Sequence, residues 1–455
     1  MSFKQGLAIG VCKLAYAGMR LLGRNGRSLP GMIALKIDRN LIQELCAGHK
    51  SVVITGTNGK TTTTHMIQQA IINTYGGAAY DPSSTNLSQG IATTLCLDST
   101  LSGKRTNEWA VIESDEGNSK YILPDILPQV MVVTNLYRDQ IDRYPTWTTA
   151  RDYIIQAIKT SPETILVLNA DCQVVASIAD AVPNKVIWFG MECDAYDEGI
   201  ADYDEQVECV ECGALLTFSQ RSFAHLGDYA CPACGRTHHR ADVAVTAVSN
   251  KQETSCELTL RVYDKEVHVP VNMRAGYDIY NAAAAFAALT ALGMPQENIG
   301  AALGNFTHAA HRFEIFDING AQLRLLLMKN TAGCNQLLNM IASEDNPPKR
   351  LVCLLGNEVM DGLSTDWIQG VHWEKIITPE TEVTVGGPCW EAMRTRLIAA
   401  GADKQRMRVC TNYAKLVAQF EAECEDCTVI ANCSTIEALR VELTKRYQPL
   451  AYWAH

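Results

Sequence analysis

A glycine-bearing turn between a strand and a helix constrains this chain more than any other feature of its sequence. Residues 51–55 form an apolar, β-branched run typical of a buried strand, and residues 62–72 follow a helical pattern. Glycines in the turn allow backbone N–H groups to approach phosphate oxygens, and the dipole at the start of a helix favours an anion. The sequence therefore predicts a nucleotide-phosphate site. Its candidate cofactor-binding residues are Thr57, Asn58, Gly59, Lys60, Thr61 and Thr62.

The side chains of this turn have separate expected tasks. Lys60 is the residue type that holds the β- and γ-phosphates of ATP, and the Thr61 hydroxyl is the expected Mg²⁺ ligand. The full Walker pattern needs a glycine where this chain has Ile54, so the loop is a shortened form. The alternative is a plain tight turn, but the strand before it and the helix after it favour the phosphate site.

Acidic and amide side chains follow other predicted strands. Glu113 comes directly after the apolar run 109–112, and Glu116 follows in the same segment. Because a parallel sheet places its ligand site at the carboxyl ends of its strands, Glu113 is the first candidate for a catalytic carboxylate and second Mg²⁺ ligand, with Glu116 next. Residues 134–135 and 169–171 end two further strands. Any one of these acids taken alone fits a surface position better, and it is their joint pattern that favours a site.

Two Cys-x-x-Cys knuckles predict a metal site. Thiolates at this spacing converge on one tetrahedral Zn²⁺, so we expect a structural zinc ribbon over residues 205–240. The alternative is four free buried thiols. We expect the neighbouring His238 and His239 to face solvent. The predicted ligands are Cys209, Cys212, Cys231 and Cys234.

Length and charge bound the remaining possibilities. A chain of 455 residues suggests two to four domains, and its formal net charge of -11 argues against a general nucleic-acid binder. No run reaches the roughly 20 apolar residues that a membrane span needs. Seventeen cysteines without a recognisable secretory signal indicate reduced thiols and a cytoplasmic protein.

The first 30 residues are basic and amphipathic, with Lys4, Lys13 and Arg20 among apolar side chains. One interpretation is a helix lying on an anionic membrane surface. The other, which the sequence favours, is a helix packed on the protein body, because most apolar helical stripes face a core.

Strand patterns in the last third alternate with helical ones, which predicts a second α/β domain. The expected strands cover residues 323–328, 351–355, 383–385 and 428–430.

Several of these segments resemble the Mur ligases, which form amide bonds in peptidoglycan precursors. Residues 55–62 resemble the ATP loop of that family, and 169–171 its strand-end turn. Residues 278–285 resemble its helix start near the adenine, and 311–314 its junction into the C-terminal domain. The resemblance adds two cofactor-binding candidates, Asn281 and Arg312.

Longer motifs at 24–36, 137–144 and 329–333 resemble the MurT subgroup of this family. The resemblance implies an α/β fold with a Mur ligase-like central P-loop domain, a parallel sheet and an inserted four-cysteine zinc ribbon, followed by a smaller Rossmann-like α/β domain. The corresponding boundaries are residues 1–45 for the N-terminal segment, 46–310 for the central domain and 311–455 for the C-terminal domain.

Residues 357–367 resemble an acidic motif of the subgroup but depart from it. Asp361 keeps its place, whereas Ser364 stands where a second aspartate is usual. The catalytic candidates here are Asp361 first and Asp366 second, and the alternative is a polar loop with an Asx-turn. Residues 80–87 also depart, since they lack an arginine usual in the subgroup.

The resemblance implies an activity and a partner. ATP and Mg²⁺ would activate the D-glutamate α-carboxylate of the lipid II stem peptide as an acyl phosphate, and ammonia would convert it to D-isoglutamine. No cysteine lies in a Gly-x-Cys-x-Gly setting, so a GatD-like glutamine amidotransferase in a heterodimer is expected to supply the ammonia. The substrate would place the protein at the inner face of the membrane. The alternatives are a stand-alone amino-acid ligase and a non-catalytic nucleotide-binding zinc-ribbon scaffold.

Overall fold

Two largely parallel sheets organise the chain, one in each of two units, Met1–Phe306 and Thr307–His455. The computed structural model describes residues 3–21, 26–82, 85–137, 146–193, 206–251, 255–272, 276–306, 313–342, 344, 348–358 and 361–450.

The strands of the first unit form one large sheet and a separate hairpin. They are β1 Lys50–Thr55, β2 Ala78–Ala79, β3 Trp109–Glu113, β4 Val130–Val133, β5 Ile165–Asn169, β6 Val186–Met191, β7 Thr217–Phe223, β8 Leu226–Ala230, β9 Val243–Ser249, β10 Cys256–Val262 and β11 Lys265–Val271. In the described chain the large sheet has the order β11-β10-β9-β6-β5-β4-β1-β3-β2. β10 pairs antiparallel with both β9 and β11 at one edge, and the other pairings are parallel. β7 and β8 make the hairpin.

Helices supply the crossovers that parallel strands require. They are α1 Phe3–Leu21, α2 Ser28–Ile37, α3 Leu41–Cys46, α4 Lys60–Tyr75, α5 Ser88–Leu97, α6 Ser119–Ile126, α7 Trp147–Ile158, α8 Gln173–Ala176, α9 Gly276–Ala291 and α10 Gln296–Gly304. α9 packs against α4 and against β4, β5, β6 and β9, while α6 packs against α3 and α7. β1, β3 and β4 are buried along almost their whole length, as expected for a sheet covered on both faces.

The N-terminal helix α1 packs on α2 and α5 through one face, which includes Ala8, Ile9 and Cys12. This face of α1 is therefore packed on the protein body, as the sequence favours. Within the residues that the structure describes, every helix is too short or too polar to cross a bilayer.

The second unit is a smaller α/β sheet. Its strands are β12 Phe313–Ile318, β13 Ala321–Leu327, β14 Arg350–Leu354, β15 Glu382–Gly386, β16 Met407–Val409, β17 Cys427–Ala431 and β18 Pro449–Leu450. Its helices are α11 Thr331–Ala342, α12 Trp390–Ala399, α13 Tyr413–Glu423 and α14 Cys433–Leu443.

Among its described strands the order is β16-β15-β14-β17-β13-β12-β18, and β12 pairs antiparallel with both β13 and β18. The four strands expected from the sequence are all present, with ends shifted by one or two residues. The predicted α/β fold class is confirmed in both units.

Candidate active site

The turn after β1 requires glycine for steric reasons. Gly56 has φ 126° and Gly59 has φ 84°, in the region that residues with a Cβ avoid. A Cβ on Gly56 would lie 2.3 Å from Thr134 Oγ1, at the end of the neighbouring strand β4. The two glycines thus allow the turn to lie against the next strand end.

Side chains after β4 hold the turn in place. The Asn58 N–H donates to Asn135 Oδ1 at 2.9 Å, and the Thr134 hydroxyl donates to the Asn58 carbonyl at 2.7 Å. The Thr57 N–H donates to the Asn135 carbonyl at 2.8 Å. The sequence pattern marks Thr134 and Asn135 as strand-end residues but does not assign them a role in the site. The turn is therefore held against the end of β4 by three hydrogen bonds within the chain.

Lys60 is the first residue of α4, and its side chain is buried. Its ammonium donates to the Gly56 carbonyl and, at 3.3 Å, to the Thr57 carbonyl. It also forms an ion pair with Glu116 at 3.4 Å. Thr61 and Thr62 follow in the same first turn of the helix. The positive charge is consequently held against the turn by backbone oxygens and one carboxylate.

The two acids after β3 lie at the edge where β1 ends. Glu113 is the last residue of β3 and is in register with Ile54 of β1. Asn86 Nδ2 donates to Glu113 Oε1 at 3.5 Å, and both Glu113 and Glu116 are buried. Carboxylate oxygens at this edge of the sheet, with the Thr61 hydroxyl in the first turn of α4, are the ligand types that suit Mg²⁺.

Asn281 reaches the same turn from α9. A Cβ on Gly59 would lie 2.0 Å from Asn281 Oδ1, and the Thr63 hydroxyl donates to that oxygen at 3.4 Å. The structure therefore brings Asn281 beside the predicted phosphate loop. Arg312 lies outside the described residues, as does the 137–144 motif apart from Tyr137.

The four predicted cysteine ligands lie together between the end of β6 and the start of β9. Their sulfurs all lie within 4.8 Å of one another, with Cys209–Cys234 at 3.7 Å and Cys212–Cys231 at 3.5 Å. A tetrahedral metal with metal–sulfur bonds of about 2.3 Å places its sulfurs about 3.8 Å apart, so the cluster could hold such an ion. Backbone N–H groups, chiefly that of Cys234, lower the pKa of the Cys231 thiol to about 6, which favours the thiolate.

Asp171 fastens this ribbon to the sheet. The carboxylate is fully buried after β5, where it accepts hydrogen bonds from the Met191 N–H at 2.8 Å and the Tyr280 hydroxyl. His238 Nε2 lies 2.7 Å from Asp171 Oδ1. Burial disfavours the imidazolium, but the Asp171 carboxylate outweighs it and raises the pKa of His238.

The expectation that His238 and His239 face solvent is wrong for His238, whose side chain is only 12% exposed. The His239 ring stacks on Trp188 with ring centroids 4.2 Å apart. The cysteine spacing carried no information about these long-range partners.

Asp361 lies at the carboxyl edge of the second sheet. Its Oδ1 accepts from the Ser434 N–H at 2.9 Å, and its Oδ2 accepts from the Ser434 hydroxyl and from the Glu358 N–H at 3.2 Å. These contacts connect the loop after β14 with the start of α14 after β17. β15 lies on one side of β14 and β17 lies on the other, so the strand order reverses between β14 and β17. Such a switch point is where open α/β sheets bind ligands. Asp366 is instead exposed and accepts from the Ser364 hydroxyl at 3.0 Å.

Comparisons with known proteins agree with this geometry. Residues 54–289 match the Mur ligase middle domain, and residues 327–436 match the MurT ligase C-terminal domain. The MurT subunit of lipid II isoglutaminyl synthase (glutamine-hydrolyzing) from Streptococcus pneumoniae is 30% identical, with 98% of each chain covered. The MurT subunit from Staphylococcus aureus strain COL is 29% identical, with 87% of each chain covered.

Solved structures support the same fold. A pseudomurein peptide ligase type C from Methanothermus fervidus superposes with a TM-score of 0.63 at 19% identity, covering 90% of this chain and 81% of that one. The MurF ligase of Thermotoga maritima in complex with ADP superposes with a TM-score of 0.60 at 15% identity, covering 91% and 85%.

Proposed function

The chain belongs to the Mur ligase family, in its MurT group, and on this basis we propose that it is the ligase subunit of an ATP-dependent amide synthase. The proposed reaction converts the D-glutamate α-carboxylate of the lipid II stem peptide to its amide, so that this residue becomes D-isoglutamine. The MurT relatives carry the name lipid II isoglutaminyl synthase (glutamine-hydrolyzing). The observation that carries the proposal is the Lys60 turn with buried acids beside it, at the carboxyl edge of a parallel sheet.

The chemistry explains why a nucleotide is needed. A carboxylate does not react with ammonia until one of its oxygens becomes a leaving group. In the first step that oxygen bonds to the γ-phosphorus of ATP and the bond to ADP breaks, which gives an acyl phosphate. Ammonia then attacks the acyl carbon, the bond to phosphate breaks, and the nitrogen loses a proton. Positive groups fixed at the phosphoryl oxygens lower the barrier of the first step.

Lys60 has a defined part in this step. Its ammonium is held by the carbonyls of Gly56 and Thr57 and by Glu116. We infer that phosphate oxygens replace these acceptors, so that the lysine exchanges one set of negative partners for another. Asn281, which borders Gly59, and Arg312 are the proposed further nucleotide contacts.

Magnesium, when bound, offsets the negative charge of the phosphates. The proposed ligands are the Thr61 hydroxyl and the Glu113 carboxylate. Glu113 is buried at the end of β3, in register with β1, and this position supports the assignment.

We propose that another protein supplies the ammonia when glutamine is the nitrogen source. Free ammonia is mostly protonated at neutral pH, and the relatives are named as subunits of a glutamine-hydrolysing synthase. We propose a GatD-like glutamine amidotransferase as the partner in a heterodimer, acting with this chain on lipid II at the inner face of the plasma membrane. Asp361 would face that partner, where it orients the glutaminase or guides ammonia. Its fixed position at the switch point of the second sheet supports this role over Asp366.

The ribbon cysteines are proposed to hold one structural Zn²⁺. The four sulfurs leave no coordination position for a substrate, and the sulfur–sulfur distances suit a tetrahedral site. Metal analysis of the purified chain should give one zinc per molecule. A Cys212→Ser variant that keeps its full zinc content would contradict the assignment.

The domain boundaries at 45 and 310 remain proposals, with residues 205–240 as the ribbon insertion. The change from one compact unit to the next after Phe306 supports the second boundary.

The decisive experiment replaces Lys60 with alanine in the chain co-expressed with a GatD-like glutamine amidotransferase. Amidated lipid II is measured by mass spectrometry, with either glutamine or ammonium as nitrogen source. We expect a loss of at least about a hundredfold with both sources, because a charge fixed at the transferring phosphoryl group is removed. Lys159→Ala, at an exposed lysine just after α7, is the matched control and should stay within about twofold of the wild type.

Other outcomes would identify the alternatives. Product formation at the wild-type rate by the Lys60→Ala variant would exclude the proposal. ADP release that depends on an amino acid and not on ammonia would indicate a stand-alone ligase. Tight nucleotide binding without any turnover would indicate a scaffold.

A further inference from the structure

The charge of the N-terminal segment differs from that of the rest of the chain. Residues 1–37 contain no aspartate or glutamate, although the whole chain has a formal net charge of -11. The basic residues in this segment are Lys4, Lys13, Arg20, Arg24, Arg27 and Lys36. A cationic end on an anionic protein indicates an anionic partner.

The outer face of α1 is apolar. Phe3, Leu7, Leu14 and Leu21, which we call the α1 stripe, are exposed by 85%, 47%, 75% and 89%. Their spacing places them on one side of the helix, and the buried Ala8, Ile9 and Cys12 lie on the other. The helix therefore has two apolar faces, of which the core covers one.

Basic side chains border the stripe. Lys4 and Arg20 are exposed and lie on opposite flanks of the four apolar positions, as the helical period requires. Lys13, on the same flank as Arg20, donates to the Ser99 carbonyl. Arg27 is occupied by Asp81 at 3.1 Å and lies over the Tyr16 ring, so it contributes less to the outer charge.

The surface extends beyond α1. A Cβ on Gly10, which lies between Leu7 and Leu14 on the same side of the helix, would be 3.7 Å from Leu101 Cδ2. Leu101 is 61% exposed, and Lys104 of the same loop is exposed. The next helix, α2, packs on α1 and carries the exposed Leu29, Met32 and Lys36. Exposed apolar and basic side chains thus also occur on the loop that meets α1 at Gly10 and on α2, which packs on α1.

We propose that the α1 stripe lies on the surface of a bilayer containing anionic lipids, with α1 in the plane of the interface. Apolar side chains along one side and cations at both flanks are what such a helix needs, because the former enter the acyl boundary while the latter bind headgroup phosphates. The absence of acids over 37 residues suits an anionic membrane, which would repel carboxylates on the docking face, and a protein partner is the alternative that the test decides. The proposed function gives this docking a purpose, since lipid II is a membrane lipid.

The test uses the full chain with vesicles and without ATP, lipid II or partner, so that it can succeed even where the proposed amidation fails. Binding to vesicles of phosphatidylglycerol and phosphatidylcholine is compared with binding to phosphatidylcholine alone by flotation. We expect the anionic vesicles to bind more tightly, and this difference to shrink as salt is added. Leu14→Gln/Leu21→Gln should weaken binding at least about tenfold, because two apolar side chains no longer enter the interface.

Two further variants separate the contributions. Lys4→Gln/Arg20→Gln should weaken binding to anionic vesicles by about tenfold or more and leave binding to neutral vesicles unchanged. Tyr121→Gln/Val441→Gln removes two apolar side chains that are 65% and 54% exposed elsewhere, and it should bind as the wild type does. Thermal unfolding of each variant verifies that the fold is intact, which we expect because all these positions are exposed.

The proposal is overturned if the wild type does not bind anionic vesicles, or if the stripe variant binds them as well as the wild type. It is also overturned if the stripe variant keeps vesicle binding but no longer co-purifies with the amidotransferase. That outcome would assign the stripe to the protein partner.

Discussion

The Lys60 turn and the Asp361 loop occupy the same kind of place, the carboxyl edge of a parallel sheet, but they are built from different parts of the chain. The Lys60 turn is mainly backbone, shaped by two glycines and fixed by Asn135 of the next strand. The Asp361 loop presents one half-buried carboxylate, held by Ser434 and Glu358. A site formed by the backbone tolerates few substitutions, because most of its residues determine the shape of the turn. A site formed by one side chain requires only that residue and its hydrogen-bond partners, so the rest of the loop can vary. This difference agrees with the close family match at residues 55–62 and the departures at 357–367.

The largest effect is expected at Gly59, because a methyl group there meets Asn281 Oδ1 at 2.0 Å. Gly59→Ala should lower ligase activity by at least about a hundredfold, since displacement by an ångström in a phosphate site is that costly. The loss is measured as the rate of ADP release and as the affinity for nucleotide.

The matched control is Gly76→Ala, at the other end of α4. Gly76 has a similar φ of 89° but no atom within 4 Å of the added carbon. It should lose about 1 kcal/mol of stability and little activity. Equal activity losses in both variants would show that helix strain, not the site, is responsible.

A smaller and selective effect is expected at Asp361. Asp361→Asn keeps the acceptor for the Ser434 N–H but removes the charge, so glutamine-dependent amidation should fall between about tenfold and about a hundredfold. Amidation with added ammonium should change by less than about threefold, because the Lys60 turn is untouched. Asp366→Asn is the matched control and should retain both activities. Full activity of both variants with glutamine would remove the loop from the mechanism.

The smallest effect is expected at Ser434, whose hydroxyl donates to Asp361 Oδ2. Ser434→Ala removes one hydrogen bond of about 1 kcal/mol and should lower the glutamine-dependent rate about fivefold. Combined with Asp361→Asn it should add almost nothing, because both changes act through one carboxylate. Fully multiplicative effects in the double variant would mean that Ser434 acts independently of Asp361.

Local features of both sheets could be predicted from the sequence. Buried strands read as apolar runs, and a glycine turn before a helix indicates a phosphate loop without any tertiary information. The same holds for the four cysteines, whose spacing is itself the signal.

Long-range partners could not be predicted. Nothing near His238 in the sequence indicates that Asp171 is its partner, and nothing near Lys60 indicates an ion pair with Glu116 in preference to Glu113. The N-terminal helix shows another limit, because one apolar pattern fits both a helix packed on the protein and a helix on a membrane surface. The structure gives α1 one packed face and one exposed apolar face.

Two neighbouring residues of α9 serve different regions of the first unit. The Tyr280 hydroxyl donates to Asp171, which also holds the ribbon through His238, while Asn281 lies against Gly59 of the turn. Adjacent positions on a helix point about 100° apart, so a single inserted residue before them would rotate both away from their tasks. The register of α9 therefore positions both side chains at once. An insertion or deletion in this helix cannot move Tyr280 away from Asp171 without also moving Asn281 away from Gly59.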